Sequence, residues 1–194
     1  QSQQASEEVN QANLDGSTPL FAAASKGMAE LASTMLSHGA RVNHLNRKGE
    51  SPLHFAASAG QDKVLAVLVA AGADVNKSMD DRATSLFIAA QKGHDAVVRV
   101  LIEAGADVNK AMNDGATPLF MAAQWGHEAV VRALIEATTV NPQFRDLWWR
   151  MRNRHVDRFV HALKQSHGIE TVEGVPVRAV TEAMASLVEQ SAYN

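Results

Sequence analysis

Apolar positions in this chain fall into pairs of short helical patterns, and the pair returns every 33 residues. In the stretch from residue 84 to residue 104, Leu86, Ala89 and Ala90 share the face of a first short helix. Val97, Val98, Leu101 and Ile102 then keep helical spacing in a second. Leu20, Leu53, Leu86 and Leu119 hold the 33-residue step, as do Thr18, Ser51, Thr84 and Thr117, and Gly27, Gly60, Gly93 and Gly126. The pairs Ala22-Ala23, Ala56-Ala57, Ala89-Ala90 and Ala122-Ala123 keep it to within a residue. Residues 84–104 and 117–137 are identical at sixteen of twenty-one positions. A fixed period of this size marks an array of stacked units, each burying its apolar face only against its neighbours. Such an array presents a surface for holding another protein rather than a reaction vessel.

The polar punctuation agrees with the apolar pattern. Thr84 fits an N-cap, its hydroxyl accepting a bond from an orphan backbone N–H. In units one, two and four the next residue is Pro19, Pro52 or Pro118, and proline suits the first helical position because its missing N–H has no helical acceptor there. Gly93 ends the first helix, and a second runs from about His94 to Gly105. The sequence "ADVN" then leads into a turn that carries "DDRA".

The segments "STPLF", "ESPLHFAASAG", "ATPLFMAAQWGHEAVVRALIEA" and "GADVN" resemble ankyrin repeats. Four units cover residues 13–141, at about 13–45, 46–78, 79–111 and 112–141. The resemblance implies an all-α solenoid of stacked antiparallel helix pairs, with projecting β-hairpin fingers and a slight curvature. Three departures stand out. Only His54 keeps the histidine of the family's Thr-Pro-Leu-His, with Phe21, Phe87 and Phe120 in its place elsewhere, so a weaker hydrogen-bond network is expected. Ser85 replaces the expected proline of unit three. Arg82 stands where Gly16, Gly49 and Gly115 stand. If that turn keeps φ > 0, Arg82 costs on the order of 1 kcal/mol relative to glycine. Either the third finger is remodelled or Arg82 is kept for a contact.

The ends of the array differ from its middle. Val42-Asn43, Val75-Asn76 and Val108-Asn109 mark where each finger begins, and Val9-Asn10 lies one period earlier. Residues 1–12 therefore read as a polar segment ending in the tail of a preceding unit, or a cap imitating it. The chain opens on Gln1, as expected of a processed or excised segment. At the other end "EATTVN" lacks the glycine of "EAGADVN". Residues 142–194 are expected to form a helical C-terminal cap, with helices at about 142–165 and 177–190 and a turn or short hairpin at "IETVEGVPV" between them.

Bulk properties narrow the function classes. The apolar fraction is 46% with only 5% aromatic, which suits short helices packed through alanine rather than a large cavity. A net charge of −3 gives no global attraction for nucleic acid or anionic membrane. There is no cysteine, which excludes disulfides and thiolate metal sites but leaves the compartment open, with the cytoplasm as default expectation. No run of eighteen apolar residues predicts membrane insertion. The segment from Phe144 to Lys164 is locally basic, with six Lys/Arg against two Asp. Its arginines point several ways around a helix, unlike a phosphate-binding stripe, so a capping role is preferred to nucleic acid or lipid. His155, His161 and His167 are spaced too far around a helix to converge on a metal. No phosphate loop, placed nucleophile or cofactor motif is found, so no catalytic, metal or cofactor residue is assigned.

The ankyrin resemblance implies contact sites on the fingers and first helices of the concave side. Carried onto this chain, they include Leu14, Asp15, Ser17, Ser25 and Lys26 in unit one, and Arg47, Lys48, Glu50, Ser58 and Ala59 in unit two. Unit three gives Asp80, Asp81, Ala83, Gln91 and Lys92, and unit four Asn113, Asp114, Ala116, Gln124 and Trp125. Trp125 fits either a partner anchor or an intramolecular plug beneath the C-terminal helices. The expected function is a protein-interaction module. The alternatives are a structural or linker subunit anchored in a larger assembly by its C-terminal helices, and the substrate-recruiting part of a longer enzyme.

Overall fold

A computed structural model describes residues 7–140 and the short strands at 171–172 and 175–176. Four helix pairs follow one another: α1 Pro19–Lys26 with α2 Ala29–Ser37, α3 Pro52–Ser58 with α4 Asp62–Ala70, α5 Ser85–Lys92 with α6 Asp95–Glu103, and α7 Pro118–Gln124 with α8 Glu128–Val140. The first helices α1, α3, α5 and α7 stack in one layer and the second helices α2, α4, α6 and α8 in another. Each first helix also packs on its own partner. The core runs the length of the array between the layers. Leu20, Leu53 and Leu86 are fully buried and Leu119 nearly so. The alanines at 56–57, 89–90 and 122–123 are fully buried too, which lets successive first helices approach closely.

The helices begin and end where their sequence dictates. Thr84 Oγ1 accepts from Phe87 N and Thr117 Oγ1 from Phe120 N, both at 3.2 Å. Gly27 and Gly93 close their helices in the left-handed conformation, at φ 74° and 75°. At Gly93 a second constraint applies, because a Cβ would meet the ring of His127 from the next unit at 2.5 Å. That ring is held by its Nε2, which donates to the carbonyl of Gln91 at 3.0 Å. His94 repeats the bond one unit earlier, to Ser58 O at 3.2 Å. Each of these histidines thus clips its second helix to the first helix of the preceding unit.

A second clip is made by asparagine. Asn43 donates to Gly72 O and accepts from Asp74 N, at 3.0 and 2.8 Å. Asn76 does the same with Gly105 O and Asp107 N, at 3.2 and 2.7 Å. Asn10 makes the identical pair of bonds to Gly39 O and Arg41 N, both at 2.9 Å. The short helical turn at residues 7–9 and Asn10 therefore act on unit one as the tail of each unit acts on the next. The series stops at Asn109. Where Gly39, Gly72 and Gly105 follow the other second helices, α8 runs on through residue 138 to Val140. Asn109 Nδ2 is left buried without an acceptor among the described residues.

The fingers are tight turns, each closed by two backbone bonds. In unit two Asn46 N donates to Glu50 O and Gly49 N to Asn46 O. An isolated antiparallel bridge joins Ser78 and Thr84 in the third finger. Neighbouring fingers touch through Arg47 N to Asp15 O and Asn113 N to Asp81 O. Further along the chain, β1 Thr171–Val172 pairs antiparallel with β2 Val175–Pro176, in the segment read as a turn or short hairpin. The helices expected at about 142–165 and 177–190 lie outside the described residues.

The third finger is not remodelled around Arg82. The turn keeps the geometry of its glycine-bearing counterparts, and Arg82 adopts φ 71°, the only non-glycine positive φ among the described residues. Its side chain is exposed, and no contact within the described fold holds it there. Ser85, in the place of proline, is fully buried and its hydroxyl finds no hydrogen-bond partner. Thr84 before it is already extended, at φ −103° and ψ 166°, as a residue preceding proline must be. Arg82→Gly is expected to raise unfolding stability by about 1 kcal/mol. Ser85→Pro is expected to add a similar amount, roughly 1 kcal/mol, by removing the unsatisfied hydroxyl and restricting the unfolded chain. Urea unfolding of each variant beside the parent chain measures both, and a loss of stability in either would contradict the local geometry.

Candidate functional site: the groove between fingers and first helices

The finger turns of the four units are built in two ways. In units one and two an asparagine opens the turn. Asn13 Oδ1 accepts from Asp15 N and Ser17 N, and Asn46 Oδ1 from Lys48 N and Glu50 N. In units three and four the acceptor sits two residues later: Asp81 Oδ1 takes Ala83 N and Asp114 Oδ1 takes Ala116 N, both at 2.9 Å. The opening position then needs no polar side chain, and it carries Met79 and Met112. Shifting the acceptor frees one apolar residue per finger.

Those methionines line a groove of about 620 Å³ between the fingers of units two to four and the first helices, reaching α1 of unit one at Ser25. The floor is apolar. Phe55, Ile88 and Met121, one period apart on α3, α5 and α7, face Met79 and Met112 across it. The finger side carries Glu50, Asp81 and Asp114, and the helix side Ser25, Ser58, Ala59 and Gln91. No lysine or arginine lines it. Glu50 Oε2 accepts from Asn46 Nδ2 at 2.7 Å, and each of the two aspartates commits one oxygen to its own turn, so every carboxylate keeps an oxygen for another donor.

His54 is among the residues that line the groove, 2% exposed. Its Nδ1 accepts from Ser51 N at 3.1 Å and meets Ser51 Oγ at 2.8 Å, so the ring is a neutral Nε2–H tautomer and the pair caps α3. Burial lowers the pKa of His54 below its ordinary 6.5. The Glu50 carboxylate, the backbone of Lys77 and Ala83, and Asp81 pull it back only in part. Its Nε2 has no hydrogen bond of good geometry, so the pull of those backbone groups acts at longer range. The serine–histidine pair is not a nucleophile with its base. Ser51 is 3% exposed, and Nδ1 is already occupied by the helix cap.

The matching pattern in known proteins agrees with this architecture. A family model described as ankyrin repeats in three copies matches residues 3–79 and, again, residues 72–146. The chain belongs to the ankyrin-repeat family. A search of curated proteins found no match. Ankyrin repeats are generally protein–protein interaction modules and their fold is typically non-catalytic. Among the described residues of this ankyrin array, no group of three His, Asp or Glu side chains is placed to hold a metal ion. No helix there is long and apolar enough to cross a membrane.

Of the contact residues expected from the resemblance, the groove gathers Glu50, Asp81, Gln91 and Asp114, together with Ser25, Ser58, Ala59, Ala83 and Ala116. Asp15, Arg47, Lys48 and Asp80 lie exposed on the finger tips outside it, and Lys26, Lys92 and Gln124 on the helices. Asn113 is exposed but ties its finger to the preceding one, its Nδ2 donating to Asp80 O at 3.3 Å. Trp125 is 53% exposed and follows Met121 by one helical turn. The apolar floor was not among the residues expected from sequence. Met79 and Met112, 33 apart in place of Asn13 and Asn46, were the available signal.

His54 gives the array a pH response whose sign follows from its lowered pKa. Between the folded-state value and 6.5 the unfolded chain binds the extra proton and the folded chain does not. The stability held by neutral His54 is complete above pH 6.5 and is lost as pH falls through the folded-state pKa. Urea midpoints are expected to fall from about pH 8 to about pH 5, and His54→Asn to flatten part of that slope while lowering the midpoint at the higher pH. Equal slopes for the two proteins would show that His54 does not carry the response.

Proposed function

We propose that this ankyrin array captures a segment of a protein partner in the groove between its fingers and first helices, across units two to four. The observation that carries this reading is the apolar floor. Five large side chains from three units (Phe55, Met79, Ile88, Met112 and Met121) converge there, although the turn chemistry does not need methionine and the core does not use it. Methionine side chains adapt to irregular apolar partners. The platform beneath them is braced between units by the His94, His127, Asn43 and Asn76 clips, so little ordering entropy is lost on binding. Trp125, the C-cap of α7 four residues on from Met121, extends the apolar strip at unit four as an anchor of the type enriched in binding hot spots. The exposed Arg47, Lys48, Asp80 and Lys92 act at the rim, where charges set orientation more than affinity.

The test uses peptides selected from a random dodecamer display library on the full 194-residue chain. Met79→Ser with Met112→Ser is expected to weaken the selected peptides by about tenfold or more, with unchanged circular dichroism. Trp125→Ala should weaken them less. If affinity survives the methionine changes and falls only on charge reversal of Arg47 and Lys48, binding occurs at the finger tips and the groove reading is wrong.

A further inference from the structure

The groove is not electrically neutral, and its charge selects among apolar partners. We infer that the segment it accepts is basic, with lysine or arginine side chains interleaved among apolar ones; this rests on the groove reading above. Three carboxylates, Glu50, Asp81 and Asp114, stand along its finger side, and no cation lines it. The one titratable group that could offset them, His54, is neutral, because protonation would abolish its bond from Ser51 N. Lys48 and Arg82 belong to the same fingers but lie exposed at the tips, outside the lining. An acidic segment lying on the floor would bring its carboxylates against these three without a compensating donor. A basic one finds an unused carboxylate oxygen in each of the three units.

The repeat also sets the spacing of the partner's charges. Asp81 and Asp114 occupy equivalent places in adjacent units, and packed helices stand about 10 Å apart. That interval corresponds to three residues of extended chain or about seven residues of helix. The partner segment therefore places its cations on one edge at that interval, with apolar side chains turned toward Met79, Ile88 and Met112. The acidic side makes binding salt-sensitive, since charges at an open rim are screened within a Debye length of about 10 Å at 0.1 M salt.

The same dodecamer selection decides the matter. Peptides recovered on the full chain are expected to be enriched in lysine and arginine beside leucine, methionine or phenylalanine. Their affinity should fall about tenfold or more when Glu50→Gln, Asp81→Asn and Asp114→Asn are combined. These substitutions keep an acceptor oxygen for Ala83 N, Ala116 N and Asn46 Nδ2, so the turns survive, and an unchanged urea midpoint verifies it. Neutral or acidic peptides that still require Met79 and Met112 would overturn the charge inference while leaving the groove reading intact. Peptides indifferent to both sets of changes, or no enrichment at all, would overturn both. Concentration-dependent dimerisation of the chain that is abolished by the methionine changes would assign the groove to a second copy and also reject the inference.

Discussion

The structure depends on one constraint: no unit can bury its two short helices alone. Helices of seven to nine residues, such as α3 and α4, are too short to be stable in water by themselves. Their apolar faces are covered only when the next unit is in place. Alanine at the contacts between first helices brings the units close, and Leu20, Leu53, Leu86 and Leu119 fill the space between layers. The polar clips then fix the register. An asparagine on the tail of one unit reads the glycine carbonyl two helices on and the N–H two residues beyond it, and a histidine reads a carbonyl on the first helix of the preceding unit. These bonds run from unit to unit and have no counterpart inside a unit. They make the array a stiff one-dimensional stack.

That stiffness permits local irregularity. The third finger tolerates Arg82 at positive φ and a buried serine hydroxyl at Ser85, because the turn is held by Asp81, by its own backbone bonds and by units on both sides. The same tolerance allowed the turn acceptor to move from the asparagine position to the aspartate two residues later. The move converts two polar positions into Met79 and Met112 and leaves a carboxylate on each of those fingers. The finger methionines of the floor and two of its three carboxylates, Asp81 and Asp114, thus arise from one change in turn chemistry, repeated in two adjacent units.

The ends show the stacking rule at its limits. Asn10 supplies unit one with the asparagine clip that the other tails supply, while Met28 stands where His94 and His127 make the second clip. At the far side the absence of a glycine after α8 removes the left-handed turn that would stop the helix. The helix continues through residue 138, and Asn109 Nδ2 has no acceptor among the described residues. The loss of one residue type therefore changes both a helix length and a hydrogen bond in the preceding unit.

The 33-residue period, the starts of the first helices and the Thr84 and Thr117 caps were legible in the sequence, because each is governed by residues close together in the chain. Arg82, expected to remodel its finger or to serve a contact, does neither within the described fold, and α8 runs on to Val140. Proline at the first helical position, threonine before it and glycine after the last turn act over four or five residues and leave a local signature. The finger and first-helix positions on the groove were reachable through the family resemblance, which placed Glu50, Asp81, Gln91 and Asp114 on one side. The apolar floor was not, because it joins Phe55, Met79, Ile88, Met112 and Met121 from three units, and no local pattern distinguishes such a methionine from a core one. Nor could the sequence say that the finger-tip cations stand outside the groove while three carboxylates line it. Only the stacking of units decides which side chains share a surface, since that proximity comes from packing across tens of residues of chain.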